Sequence, residues 1–147
     1  MPNISEESTQ VRQLVAFHLG GEQYALPIEQ IQEVIRYTEP RAVASEDPWV
    51  IGVISLRGKI VPVADLASRL GISATHSEDS KVVIVETAGH TFGLIVDAVD
   101  EVLSIDEQQI DTNFSSADFV RGIAKLEQRL IVILDAATLA GNVPAAA

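Results

Sequence analysis

Two stretches of the 147-residue chain repeat each other, and nothing else in the sequence restricts its fold as strongly. Gly21, Tyr24, Leu26, Ile28, Ile31, Glu33, Val34 and Ile35 return 68 positions later as Gly89, Phe92, Leu94, Val96, Val99, Glu101, Val102 and Leu103. A second series, Gly52, Leu56, Ile60, Val61 and Asp65, returns 70 positions later as Gly122, Leu126, Leu130, Ile131 and Asp135. Glycine, aromatic, aliphatic and acid recur in one order. The unit is longer than the ~20–50 residues of a solenoid repeat, so two similar lobes are expected instead of a stack.

Each copy has the same plan. A strand (Val11–Leu19; Lys81–Thr87) leads through a glycine-containing turn into a second strand (Gln23–Leu26; Thr91–Val96). Ile28, Ile31, Val34 and Ile35, like Val96, Val99, Val102 and Leu103, then fall at helical spacing and predict a short helix. A hairpin follows, Val50–Leu56 with Ile60–Ala64 and Phe119–Leu126 with Leu130–Leu134, and a short amphipathic turn closes the unit. Many short strands and few helices give a mainly β fold of two small barrel lobes. The expected division is a flexible arm over 1–10, one domain over 11–141 and a flexible tail over 142–147. Within the domain the first lobe is mainly 20–72 and the second mainly 81–135, with strands free to exchange, and "GISATHSEDS" (71–80) is the joint.

Composition removes whole classes of function. Without cysteine there is no disulfide, thiolate nucleophile or Cys-based metal site. A formal net charge of −11 repels phosphate backbones and anionic membranes, so neither nucleic acid nor direct membrane insertion is expected. No apolar run reaches the ~20 residues of a membrane span, and the N-terminus has no secretory signal pattern, which suits the cytoplasm.

The duplication also serves as an internal control. Asp65 and Asp135 each precede a glycine by six residues, at Gly71 and Gly141; both acids read as helix N-caps and both glycines as C-terminal punctuation. The acids Asp97, Asp100, Glu101, Asp106, Glu107 and Asp111 lack calcium-loop spacing and read as a solvated face. His18, His76 and His90 have no metal-ligand spacing, and no nucleophile elbow or phosphate loop is present. No catalytic residue, metal or cofactor follows, and the chain does not read as an enzyme. Pro27 and Pro62 replace Ile95 and Val132 of the other copy and predict an irregular edge in the first lobe.

Arg57 is the exception that points to function. The other copy has Glu127 there, so the hairpin does not need an arginine. An arginine at a hairpin tip offers a planar fork of donors to a partner's carbonyls or carboxylates. Glu33 is expected to pair with Arg57 and hold that fork.

The blocks "FHLGGEQYALPIEQIQEVI", "IGVISLRGKIVPVADL", "VVIVETAGHTFGLIVDAVDEVLSI" and "VRGIAKLEQRLIVILD" resemble, in order, the signature blocks of the bacterial chemotaxis coupling proteins, the CheW-like family. The likeness runs from about Val11 to Gly141. It implies two five-stranded, SH3-like barrels with a hydrophobic groove between them. It further implies a non-enzymatic adaptor at the membrane-associated receptor array, joining the cytoplasmic tips of chemoreceptors to the regulatory domain of the histidine kinase CheA, with self-association in rings conceivable. Arg57 matches the arginine of the family's LRG block, associated with receptor coupling, and Glu33 the acid of its QEV block. On this reading Ile28, Ile31, Val34 and Ile35 form one wall of a receptor-helix groove and Val96, Val99 and Val102 the other. The kinase-binding residues are not assigned. The competing reading is a small-molecule-sensing or regulatory domain of a related two-component pathway, such as pilus-mediated motility, with the groove as its pocket.

Overall fold

The computed structural model describes residues 11–44, 49–73, 76–87, 89–113 and 118–139. The expectations for the arm over 1–10, for Gly141 and for the tail over 142–147 lie outside these residues. The chain is mainly β. Its strands are β1 (Val11–Leu19), β2 (Glu22–Pro27), β3 (Ile31–Arg36), β4 (Val50–Leu56), β5 (Lys59–Ala64), β6 (Lys81–Thr87), β7 (His90–Val96), β8 (Ala98–Asp106), β9 (Ile110–Asp111), β10 (Val120–Leu126) and β11 (Arg129–Leu134). Two short helices, α1 (Leu66–Leu70) and α2 (Ala136–Leu139), follow β5 and β11.

The strands form two sheets, β8-β1-β2-β11-β10-β9 and β3-β6-β7-β5-β4. Each strand of one sheet has its repeat counterpart at the same place in the other. Even the two-residue strand β9, which pairs with Ile123 and Ala124, has an echo in the isolated bridge between Arg41 and Val53. The opening hairpin of each repeat, β1–β2 or β6–β7, lies in the sheet that holds the closing hairpin of the other repeat. The joins are short parallel contacts, Val63 beside Gly93 and Val132 beside Tyr24. Lobe one is therefore β3, β4 and β5 with β6 and β7; lobe two is β1 and β2 with β8 to β11.

This exchange explains why β6 reads "VVIV" without polar alternation. Val82 and Ile84 point into the core of lobe one with Ile54, Val61, Val63 and Ile95. Val83 and Val85 point the other way, into a core shared by both sheets that contains Phe17, Tyr24, Leu26, Phe92 and Leu94. A strand buried on both faces loses the period-2 signal. Lobe two has its own core around Leu14, Ala25, Ile105, Ala124 and Ile131.

Three expectations are corrected. The helical spacing after β2 and β7 does not produce helices: Ile28–Gln30 is one 3-10 turn, Ile31–Arg36 is strand β3, and Val96, Val99 and Val102 lie on β7 and β8. The alternation along β3 places Ile31, Glu33 and Ile35 on the inward side and Val34 outward. Pro27 and Pro62 mark no irregular edge. Both are buried in interior strands, β2 and β5, Pro27 as the last residue of its strand and Pro62 just before the two-residue contact of β5 with β7. Asp65 occupies the N-cap of α1 but its side chain makes no capping hydrogen bond. Gly71, by contrast, ends α1 in the left-handed conformation (φ 76°), as a glycine C-cap does.

The paired glycines Gly52 and Gly122 have a common cause. A Cβ on Gly52 would lie 2.3 Å from the carbonyl oxygen of Arg41, and one on Gly122 would lie 2.7 Å from Ile110 Cγ2. Both let a neighbouring segment lie directly against a hairpin strand.

Candidate protein-binding site

The β4–β5 hairpin turns in two residues, since Leu56 pairs with Lys59. Both turn residues have positive φ, 51° at Arg57 and 81° at Gly58, the requirement of a type I′ turn matched to the twist of a hairpin. Glycine adopts this region freely and arginine does not. Glu127 has φ 54° at the equivalent turn of lobe two, so the strained position belongs to the duplicated hairpin and its side chain varies.

From that turn the Arg57 guanidinium reaches Glu33 on β3. Nη2 donates to Oε1 at 2.7 Å and Nη1 donates to Oε2, a two-pronged pairing of fork with carboxylate. In the order β3-β6-β7-β5-β4, Glu33 lies on one edge strand and Arg57 at the tip of the hairpin that forms the other edge. The ion pair thus ties the sheet's two sides together. Hydrogen bonding by Arg57 holds the Glu33 carboxyl below its usual range, against a smaller opposing effect of desolvation. The side chain of Arg57 is 69% exposed, and that of Glu33 is 23% exposed. The acid is the seat and the arginine the presented group.

Lobe two makes the same tie differently. Glu101, the counterpart of Glu33, accepts from Arg129 Nη2 at 3.1 Å, and Arg129 also donates to Gln23 Oε1 from Nη2 at 3.0 Å. Arg129 lies on β11, past the turn. In lobe one the arginine stands on the turn itself.

Beside Arg57 lies a concavity of about 560 Å³, bounded by Leu56, Ile60, Glu86 and Thr91. Ile60 is 55% exposed and its counterpart Leu130 62%, so both hairpins present an aliphatic side chain next to the turn. Sequence reading missed this pair; the signal was an apolar residue one position beyond the basic residue that follows each two-residue turn, Lys59 or Arg129.

The two aliphatic walls divide. Ile28, Val34 and Val102 are exposed, and Val34 and Val102 are equivalent positions on the edge strands β3 and β8. Val96 is fully buried in the core between the sheets, with Ile31 and Val99 packed on that core and Ile35 packed on the core of lobe one. Val96 therefore cannot line an open wall: it ends the buried strand β7, while its counterpart Ile28 opens an exposed 3-10 turn.

None of the acidic run is buried, as a solvated face requires, and several of its carboxylates are also hydrogen-bonded. Asp97 accepts from the Gly20 N–H at 2.9 Å, Asp100 from Gln23 Nε2 at 3.0 Å, and Glu107 from Arg12 Nε at 2.7 Å. Asp106 caps the 3-10 turn after β8 in a capping box with Gln109. Among the described residues no group of three His, Asp or Glu side chains could hold a metal, and no helix is long and apolar enough to cross a membrane.

The sequence profile of the CheW-like domain matches residues 13–143. The probable chemotaxis protein CheW of Rhizobium etli is 32% identical over 130 residues, 84% of each chain. Protein PilI of Pseudomonas aeruginosa is 30% identical over 140 residues, 86% of this chain and 75% of that one. Among solved structures, the crystal structure of the scaffolding protein TtCheW from Thermoanaerobacter tengcongensis superposes with a TM-score of 0.78 at 39% identity, covering 85% of this chain and 89% of the other.

Proposed function

The chain belongs to the CheW-like domain family, and from that premise we propose that it is a non-enzymatic adaptor which joins the helical cytoplasmic tip of a chemoreceptor to the regulatory domain of the kinase CheA. It works at the membrane-associated array in the cytoplasm. Two binding surfaces on one small domain raise the local concentration of receptor and kinase, and this suffices for coupling without any chemistry in the chain.

The observation that carries the receptor half of this reading is the seated arginine. Arg57 is held by Glu33 in a two-pronged pair, is largely exposed, and has no counterpart at the turn of lobe two. A pre-oriented guanidinium loses little freedom on binding, which suits a contact that dominates an interface. Exposed Val34 and Ile28, from β3 and the turn before it, supply apolar contact for a helix laid alongside. Val102 presents the equivalent surface on lobe two.

Binding of a receptor cytoplasmic fragment and of the kinase regulatory domain, each measured with wild type and Arg57→Glu, tests the reading. The expected result is a loss of receptor affinity of about thirtyfold or more, the scale of an interface hot spot, with kinase affinity nearly unchanged. Equal receptor affinity of the two proteins would remove Arg57 from the site. Absence of binding to either partner by wild type would remove the adaptor function itself.

A further inference from the structure

The joint between the repeats holds a histidine–aspartate contact that lobe two does not reproduce. In lobe two, Asp135 is fully engaged. Gln30 Nε2 donates to its Oδ1 at 3.0 Å and Thr138 Oγ1 donates to its Oδ2 at 2.7 Å, while Gln30 Oε1 accepts from the Ala136 N–H at 2.9 Å. The equivalent Asp65 has Ser68 and Ala98 where Asp135 has Thr138 and Gln30, and it makes none of these bonds.

What approaches Asp65 is His76, from the connecting segment, with Nε2 at 3.4 Å from Oδ1. Both side chains are mostly buried, at 16% and 25% exposure. Asp65 Oδ1 and both imidazole nitrogens are shielded from solvent without a hydrogen-bond partner. Buried polar atoms left in this way call for an explanation.

The other groups around the pair do not supply one. Arg69, one turn further along α1, holds its guanidinium over the rings of Phe119 (4.9 Å) and Trp49 (5.5 Å) and makes no ion pair among the described residues. Tyr37 stands with its ring 6.1 Å from that of His76, and burial, with the charge of Glu39 second, raises the pKa of its hydroxyl above the ordinary value. Among the described residues, Asp65 is thus the carboxylate that pairs with His76, and no Lys or Arg side chain forms an ion pair with it.

We propose that Asp65 and His76 form a proton-operated clasp on the connection between the two repeats. A proton on the imidazole gives Asp65 a charged donor, and with Nε2 already 3.4 Å from Oδ1 the hydrogen bond requires a reorientation of the ring that aims the N–H at the carboxylate. Loss of that proton leaves a neutral ring beside a buried carboxylate. Histidine changes charge within the range that proteins meet in cells.

The clasp bears on the fold because of what the segment carries. Ile72 packs on the core between the sheets, and the Ser80 carbonyl accepts from the Tyr37 N–H at 3.2 Å. Directly after Ser80 begins β6, the strand buried on both faces. Fastening His76 to the start of α1 fixes how the chain enters that strand.

A double-mutant cycle of Asp65→Asn and His76→Gln, read by denaturant unfolding at about pH 5.5 and about pH 8, tests the clasp; contributions of His18 and His90 cancel in the cycle. The expected coupling changes the folding equilibrium by about threefold or more at the lower pH and is smaller at the higher, where a neutral imidazole offers at most an uncharged donor. No coupling at the lower pH, or equal coupling at both, overturns the proposal. Should the variants fold poorly, amide exchange of residues 76–80, corrected for intrinsic rates, provides the second reading. Protection that rises on acidification in wild type but not in Asp65→Asn supports the clasp, and identical pH dependence in both contradicts it.

Discussion

Glu33 and Arg57 are joined by two hydrogen bonds across a five-stranded sheet, from the edge strand β3 to the tip of the hairpin that forms the opposite edge. Their repeat counterparts, Glu101 and Glu127, carry like charges and make no such pair; Arg129 does the corresponding work from β11. One tie therefore recurs in both lobes, and only in lobe one does its arginine project from the turn.

That position implies a separation of stability from binding. Arg57→Gly places the residue that φ 51° favours at the strained position. Its expected melting temperature is equal to or above that of wild type, while receptor binding falls. Glu127→Gly relieves the same strain and should leave receptor binding unchanged. Thermal unfolding and affinity measured on both variants check the pair of outcomes.

The two cap positions should differ although the sequence makes them look alike. Asp135→Ala removes acceptors for Gln30 and Thr138 and is expected to cost about 1–2 kcal/mol. Asp65→Ala at neutral pH removes no capping bond and should cost less. Denaturant unfolding of both variants decides it; equal losses would show that Asp65 caps in solution.

Asp135 also predicts a response to acid. Burial raises its pKa, but hydrogen bonds from Gln30, Thr138 and the Ala137 backbone, with the charge of Arg121, outweigh burial and leave the carboxyl below its ordinary value. A pKa lowered in the folded state contributes stability that is complete above the unfolded value of about 3.9 and fades as pH falls through the folded one. In Asp135→Asn, stability should therefore decline less steeply than in wild type as pH drops below about 4. Parallel curves would contradict the assignment.

Gly52→Ala should destabilise more than Gly122→Ala. The added methyl meets backbone at 2.3 Å, the Arg41 carbonyl oxygen, in the first case, whereas in the second the nearest atom is the Cγ2 methyl of Ile110 at 2.7 Å, with the Asp111 carbonyl oxygen at 3.0 Å. Overpacking of this kind costs about 1–3 kcal/mol, with Gly52→Ala toward the upper end. Unfolding free energies of the two variants provide the check.

Much of this architecture was legible in the sequence, for physical reasons. Two-residue turns need left-handed residues, so Gly20-Gly21 and Arg57-Gly58 announced their hairpins. The duplication marked Arg57 as free of the hairpin's needs, because Glu127 stands at the matched position, but the distance to Glu33, whose counterpart Glu101 is the same residue, came only from the structure. The segment from Ile28 to Ile35 misled because apolar residues at 28, 31, 34 and 35 fit a helix as well as a 3-10 turn followed by a bulged strand. The bulge between Ile31 and Glu33 shifts the pairing by one, and no local pattern reports it. The exchange of opening hairpins was equally silent, since two identical patterns do not say which copy each will pair with. The engagement of Asp135 by Gln30, 105 positions away, depends on that exchange and had no sequence signal.

The role of the seated arginine is tested most directly by exchanging the charges. Receptor-fragment affinity is measured for Glu33→Arg, for Arg57→Glu and for the double variant, each confirmed as folded by circular dichroism. If the acid seats the arginine and the arginine touches the receptor, Arg57→Glu and the double variant both bind weakly, while Glu33→Arg, with an unseated guanidinium, falls between them and wild type. Full receptor affinity in Arg57→Glu would contradict the account.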